Sequence, residues 1–262
     1  MSDLKSRWAV VTGASSGLGA DFAEILAEHG AHLALVARRK DRLEALAARL
    51  AAAHGVQTRV FALDLAERAA PQRLYDSLRG EGIDTEVLVN NAGFGTHGPF
   101  VDVPWERDHE MLELNVVTLT HLTKLFVGDM LRRNRGWILQ VASIGAYQPS
   151  PTYGTYSAAK AYVLSFGEAL CYELRGTGVK VSVLSPGVTK TEFLEVSGQK
   201  PNFYQRLSMA PSRKVAEAGI AAMLAGKPSL VPGLGNKLPV AMLRVTPRRM
   251  QAAVANLMMS MK

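Results

Sequence analysis

The chain has 262 residues, 48% hydrophobic and 20% charged, a balance that suits a globular protein with a sizeable core and excludes a disordered or fibrous one. No apolar run is long enough to span a bilayer, the single cysteine, Cys171, excludes an internal disulfide, and the six histidines show no metal-binding spacing, so no metal is expected. The formal net charge is +7, and six of those charges fall in residues 218–262, which contain Lys and Arg but no Asp or Glu.

The opening "MSDLKSRWAVVTG" is charged and runs directly into a strand, so no signal peptide is expected and the expected location is cytoplasmic. "RWAVVTG" (7–13) reads as a strand ending on glycine, and "GLGADFAEILAEHG" (17–30) as a helix stopped by Gly30. "AHLALVAR" (31–38) is a second strand, and "KDRLEALAARLAAAHG" (40–55) a helix ending at Gly55. "VQTRVFALDL" (56–65) is a third strand, followed by a helix around 67–81. "TEVLVNNAG" (85–93) is a fourth strand, and one long helix is expected over 105–133. "RGWILQVAS" (135–143) is a fifth strand, ahead of a helix over 153–176. "GVKVSVLSPG" (178–187) is a sixth strand. A helix over 212–226 takes Ser212 as its cap, and "PSLVPG" (228–233) is a short last strand.

Strand and helix alternate throughout, and the strands carry Val, Ile and Leu on both parities. The pattern implies an α/β fold: a single doubly wound, Rossmann-type domain over 1–233, with a parallel sheet of about seven strands and helices on both faces. Residues 234–262 are expected to form a basic, apolar appendage.

The first strand runs into "TGASSGLG" (12–19), which places Gly13, Gly17 and Gly19 between strand and helix, with Ser15, Ser16 and Leu18 completing the turn. In a doubly wound fold this turn lies at the carboxyl edge of the sheet, where ligands bind. Glycine lets the backbone approach a pyrophosphate, and the helix N-terminus adds free N–H groups and a positive dipole end. About twenty residues on, the second strand ends in "ARRK". Arg38 and Arg39, with no acid before Asp41, suit a ribose 2′-phosphate and so favour NADP(H) over NAD(H).

Tyr156 and Lys160, in "GTYSAAKAYV", stand one helical turn apart on one face. A fixed cation beside a phenol favours the phenolate, and a fall of roughly two or three units would let the tyrosine exchange protons near neutrality.

Thr12-Gly13-x3-Gly17-x-Gly19, Asp64-Leu65, Asn90-Asn91-Ala92-Gly93, Asn115, Ser143, Tyr156-x3-Lys160 and Pro186-Gly187-x3-Thr191 together resemble the short-chain dehydrogenase/reductase family, in order and separation, over 1–232. The resemblance implies an oxidoreductase that moves a hydride between NADP(H) and a carbonyl carbon, reversibly. It implies that Ser143 donates a hydrogen bond to the carbonyl oxygen and that Tyr156 protonates it. Lys160 and the positive charge of an oxidised nicotinamide would together lower Tyr156, Lys160 would also hold the nicotinamide ribose, and Asn115 would hold a water in a proton relay. Asp64 and Leu65 would lie by the adenine, with Asn91, Ala92 and Gly93 along the adenosine side. Val188 and Thr191 would face the carboxamide, with Pro186 and Gly187 also binding the cofactor. A homodimer or homotetramer, built on the helices that hold Asn115 and Tyr156, is implied as well. The rival readings are an NAD-dependent alcohol dehydrogenase and a catalytically idle nucleotide-binding scaffold.

In this family the segments after strands four, five and six line the substrate pocket. Here they hold Phe94, Ile144, Tyr147, Tyr153, Phe193 and Phe203 and few charges, so an apolar carbonyl or alcohol substrate is expected. The basic, apolar tail has two readings: a peripheral element on anionic lipid, or a contact with a partner subunit or the substrate lid. No nucleic-acid-binding module is recognisable, and no nucleic-acid partner is expected.

Overall fold

The computed structural model describes residues 4–199, 206 and 209–260. Seven parallel strands form one sheet in the order β3-β2-β1-β4-β5-β6-β7. They are β1 (Trp8–Thr12), β2 (His32–Ala37), β3 (Thr58–Ala62), β4 (Thr85–Asn90), β5 (Gly136–Val141), β6 (Val179–Leu184) and β7 (Ser229–Leu230). The connecting helices include α1 (Gly17–Glu28), α2 (Lys40–His54), α3 (Ala70–Gly80), α4 (Trp105–Leu112), α5 (Leu119–Arg132) and α6 (Gly154–Glu173). A short α7 (Phe193–Val196) and α8 (Ser212–Leu224) follow, then α9 (Leu234–Met242) and α10 (Arg248–Ser260).

Strand parity divides the core. Ala9, Val11, Leu33, Leu35, Val87 and Val89 pack with residues of α1, α2 and α8, including Phe22, Leu43 and Ile220. The alternate residues Val10, Ala34, Val36, Leu88 and Ile138 pack with Leu74, Leu78, Leu122 and Phe126 of α3 and α5. A fully buried leucine such as Leu74 contributes about 1.5–3 kcal/mol. Both faces are covered, which is why these strands read as apolar on both parities.

The winding reverses between β1 and β4, and there the sheet opens a crevice at its carboxyl edge. Thr12 holds the two strand ends together. Its hydroxyl donates to Val89 O at 3.1 Å and accepts from the N–H groups of Asn91 at 2.9 Å and Ala92 at 3.0 Å. Asn91 Nδ2 in turn donates to Thr12 O at 2.9 Å.

Several expected elements come out differently. The helix expected over 105–133 is divided into α4 and α5 by a π-helical turn, Glu113–Thr118. Ser212 is the first helical residue and not the cap, a place taken by Pro211 at φ −61°. The last strand has two residues, Ser229–Leu230. The stretch expected as an appendage, to which the sequence assigned no elements, carries the helices α9 and α10.

The turn after β1 demands glycine twice over. Gly13 and Gly17 have φ of +68° and +52°. Gly19 is fixed by space: a Cβ there would sit 2.0 Å from Gly13 O. Gly19→Ala should therefore destabilise the chain by about 1–3 kcal/mol. Gly80→Ala, where a Cβ meets nothing within 4 Å, should be neutral or stabilise by up to about 1 kcal/mol. Urea unfolding midpoints of the two variants check this, and equal midpoints would contradict it.

Candidate active site

The crevice is a cleft of about 440 Å³, within the roughly 300–1,000 Å³ usual for small-molecule sites. Every expected cofactor residue except Gly19 lines it. Ser143, Tyr156 and Lys160 line it as well, and so do Phe94, Ile144, Tyr153 and Phe193 of the expected substrate pocket. The sequence reading did not single out Glu192, Gln148 or Ser150, which also line it.

At one end lies the glycine turn. Ser16 is the N-cap of α1, yet its side chain does not cap the helix. Its hydroxyl instead accepts from Arg39 Nη2 at 2.8 Å. The first-turn N–H groups of α1 are thus left to the cleft that Gly17 and Leu18 line. The backbones here leave no room for side chains: a Cβ on Gly13 would lie 2.8 Å from Asn91 Nδ2, and one on Gly17 2.8 Å from Thr191 Cγ2. A Cβ on Gly93 would meet Asn115 Oδ1 at 2.5 Å. This cradle fits a dinucleotide whose pyrophosphate approaches the backbone closely.

Three arginines gather around that end. Arg39 donates to Ser15 Oγ from Nε at 3.2 Å and to Glu192 Oε2 from Nη1 at 2.8 Å. Arg42 also reaches Glu192, at 2.6 Å, and the two guanidiniums hold its carboxyl down at about 2. Arg38 is the more exposed, with Nη1 3.7 Å from Asp64 and 3.4 Å from Glu110. Asp64 itself accepts from the Ala66 N–H at 3.0 Å and so caps a local turn.

At the other end α6 brings Tyr156 and Lys160 to face β5. Lys160 is 5% exposed, and its Nζ donates to Val141 O at 2.8 Å. Burial pulls its ammonium down from 10.5 to about 8. Lys160 by itself does not bring the Tyr156 phenol down. Burial pushes that phenol up, with the Ser143 hydroxyl opposing the rise. The lysine Nζ lies 5.9 Å from the phenol ring centroid and is aimed at a backbone carbonyl. The ligand-free tyrosine is therefore a neutral phenol that keeps its proton across the physiological range. Ser143 Oγ accepts the Gly145 N–H at 3.1 Å, which leaves its own proton to donate.

Around these groups the walls are apolar. The Tyr156 ring packs against Phe193 at 5.4 Å and Tyr153 at 6.0 Å, and His97 packs on Tyr153 at 4.8 Å.

Three expected residues do not line the cleft. Gly19 packs α1 onto the turn. Asn115 is fully buried in the π-helical turn, where its amide donates to Phe94 O at 2.9 Å and accepts from Phe94 N at 3.3 Å. Its amide thus holds the loop after β4. Tyr147 ends a 3₁₀ turn, Ile144–Tyr147, that carries it away beside Ser185. Phe203 lies outside the described residues. Away from the cleft, Glu24, Glu28 and His54 bring possible ligand atoms within 4.8 Å of one another. Arg49 and Arg213 already pair with those two carboxylates.

A family model described as short chain dehydrogenase matches residues 7–202. A very-long-chain 3-oxoacyl-CoA reductase of Anas platyrhynchos is 36% identical over 203 residues, 75% of this chain and 63% of that protein. This chain thus spans under two thirds of that relative's length. A 7β-hydroxysteroid dehydrogenase of Collinsella aerofaciens is 30% identical over 214 residues, 80% of this chain and 81% of that one. A solved 7β-hydroxysteroid dehydrogenase structure superposes with a TM-score of 0.87 at 26% identity, covering 96% of this chain and 97% of that one. A short-chain dehydrogenase from Sphingobium yanoikuyae, in complex with NADPH, gives 0.80 at 30% identity over 94% and 98% of the two chains. One from Burkholderia phymatum, in complex with NAD, gives 0.82 at 26% identity over 92% and 94%.

The buried Lys160 has a cost that pH should expose. Its ammonium is held well below its ordinary 10.5, at about 8, which costs the folded state on the order of 3 kcal/mol wherever the lysine is charged. The cost is fully present below pH 8 and disappears as pH rises to 10.5, because the folded chain releases the proton first. Lys160→Met should therefore unfold at higher urea than the parent at pH 7, by up to about 2 kcal/mol, and the gap should close by about pH 10.5. Urea midpoints of both ligand-free proteins across that range measure it. A gap that stays constant with pH would refute the assignment.

Proposed function

The chain belongs to the short-chain dehydrogenase family, and from that premise we propose that it is an NADP(H)-dependent carbonyl reductase. It would reduce an apolar ketone or aldehyde to an alcohol, and run in reverse as an alcohol dehydrogenase. The observation that carries this reading is one cleft with Ser143, Tyr156 and Lys160 at one end and the glycine turn with Arg39 at the other. NADPH, when bound, supplies the hydride.

The remaining work falls to the chain. Ser143 donates a hydrogen bond from its hydroxyl to the substrate oxygen and fixes its position, keeping its proton. Tyr156, held as a neutral phenol by burial, gives its proton to the same oxygen as negative charge develops there. Lys160 keeps two protons beyond the one donated to Val141 O, enough to hold ribose hydroxyls and to stabilise the phenolate left behind. Asn115 positions the loop that carries Phe94, with its amide committed to that backbone. Phe94, Ile144, Tyr153, Phe193, Leu194 and Val196 line the substrate end and exclude water, which supports a bulky, lipophilic carbonyl compound. The NADP(H) preference is supported by the Arg39 guanidinium, which bridges Ser15 and Ser16 at the cleft edge.

Two contacts beyond the cleft are part of the proposal. Val117, Tyr162 and Tyr172 are large apolar or aromatic side chains exposed around α5 and α6, and they support a homodimer or homotetramer through those helices. Leu234, Leu238, Met242 and Val245 are exposed in a tail that carries Lys237, Arg244, Arg248 and Arg249, and they support a peripheral contact with anionic lipid. The full chain should co-sediment with anionic vesicles and remain in the supernatant with neutral ones. Equal partition would dismiss the lipid contact.

The central test follows loss of reduced-nicotinamide absorbance with NADPH and NADH across a panel of apolar ketones and aldehydes. Tyr156→Phe should lower kcat by about 10²–10⁴-fold and leave NADPH affinity within a few-fold of the parent. A Tyr156→Phe protein of undiminished turnover would sink the acid–base role. A chain that binds NADH and not NADPH would overturn the cofactor preference.

A further inference from the structure

The segment after β6 is fastened at both ends. At its far end the Tyr153 hydroxyl donates to Gln199, and the Arg107 guanidinium reaches Val196 O at 3.5 Å. At its near end Glu192 is held in a seat made by other residues. Its Oε2 accepts from Arg39 Nη1 at 2.8 Å and its Oε1 from Arg42 Nη1 at 2.6 Å. The same Arg39 donates to Ser15 Oγ from Nε at 3.2 Å and from Nη2 at 3.1 Å, and to Ser16 Oγ at 2.8 Å. Ser15, Ser16, Arg39 and Glu192 all line the cleft.

Two guanidiniums meet on one carboxylate at the edge of the cleft, one of them braced by two serine hydroxyls, and so form an anion seat; guanidinium forks donate to carboxylate and phosphate alike. In this structure the seated anion is the chain's own carboxylate. We propose that Glu192 is an internal occupant of this seat, which a nucleotide's ribose phosphate monoester displaces. Glu192 then both sets discrimination for that phosphate and fastens the segment that covers the cleft. The inference rests on the cofactor reading above.

Three observations support an exchange. The Glu192 carboxylate already holds Arg39 Nη1 at 2.8 Å, so a phosphate brought to that nitrogen would meet a second anion and be repelled by it. Glu192 is 39% exposed, so it can leave for solvent with little desolvation. Its carboxyl is held at about 2, so it stays charged at any physiological pH and gives way to competition, not protonation. Release of Glu192 also loosens its neighbour Thr191, whose side chain packs over Gly17 of the pyrophosphate turn. One anion exchange is thus coupled to cleft and covering segment together.

The test compares adenosine 2′,5′-bisphosphate with adenosine 5′-monophosphate by calorimetry, on the full parent chain and on Glu192→Gln. The variant should bind the bisphosphate about tenfold more tightly and the monophosphate within about twofold of the parent. Saturating the parent with the bisphosphate should raise amide exchange over residues 191–199 to the rate of the ligand-free variant. Unchanged or weaker bisphosphate binding by Glu192→Gln, in a parent that binds NADPH, overturns the inference alone and leaves Glu192 as a support for Arg39. A parent that binds neither NADPH nor the bisphosphate removes the cofactor reading, and this inference with it.

Discussion

One hydroxyl governs where this sheet opens. Thr12 ends β1, and its Oγ1 is bonded three ways, to Val89 O and to the N–H groups of Asn91 and Ala92. Those bonds join the ends of β1 and β4 at the point where the winding reverses. Each is worth about 1 kcal/mol net, but together they fix two loops that would otherwise drift apart. The glycine turn departs from one strand and the Asn91–Gly93 segment from the other. Their separation sets the width of the cleft, and Asn91 Nδ2 pins it again through Thr12 O. The glycine turn and the Asn91–Gly93 segment are both placed by this clamp.

The second half is placed by a less comfortable contact. Lys160 is buried, and the Val141 carbonyl is its one bonded acceptor among the described residues. A leucine or methionine there would serve the core better. The ammonium is instead held where Tyr156 and Ser143 converge, and the fold gives up stability to keep it there. The same burial raises the phenol of Tyr156. A dry site thus makes the tyrosine a holder of its proton and the lysine a reluctant cation. Both are then readily shifted by any charge that arrives beside them.

Local patterns made much of this legible. The glycine turn could be read because glycine is required by backbone geometry, at Gly13 and Gly17 by φ and at Gly19 by contact. The strands could be read because burial on both faces leaves a continuous apolar signature. Asn115 was recognisable by position, but not its partner. The π-helical turn adds residues to the helical register and brings the amide onto Phe94, which no 3.6-residue pattern anticipates. Tyr147 and Tyr153 look alike as aromatics in one loop. A 3₁₀ turn ends at the first and α6 begins beside the second, so they are carried to different places. Glu192 was missed because its meaning lies 153 residues away, at Arg39. The residue itself was plain beside Thr191, but a charge pair across that separation has no local trace.

The arginines at the end of β2 show why composition overstates a binding site. Counted along the sequence, Arg38 and Arg39 form a cationic corner waiting for an anion. In the fold each is already engaged, Arg38 near Asp64 and Glu110, and Arg39 with Glu192. A corner neutralised in advance attracts an incoming phosphate by a difference, the new ion pair less the old one. Such a corner rejects a ligand that lacks the phosphate no more strongly than a bare one would. It does hold the Arg39 fork in place before a ligand arrives, so less side-chain entropy is lost on binding. On the proposed cofactor reading, discrimination for a phosphorylated nucleotide would be set as much by the acids that hold these arginines as by the arginines themselves.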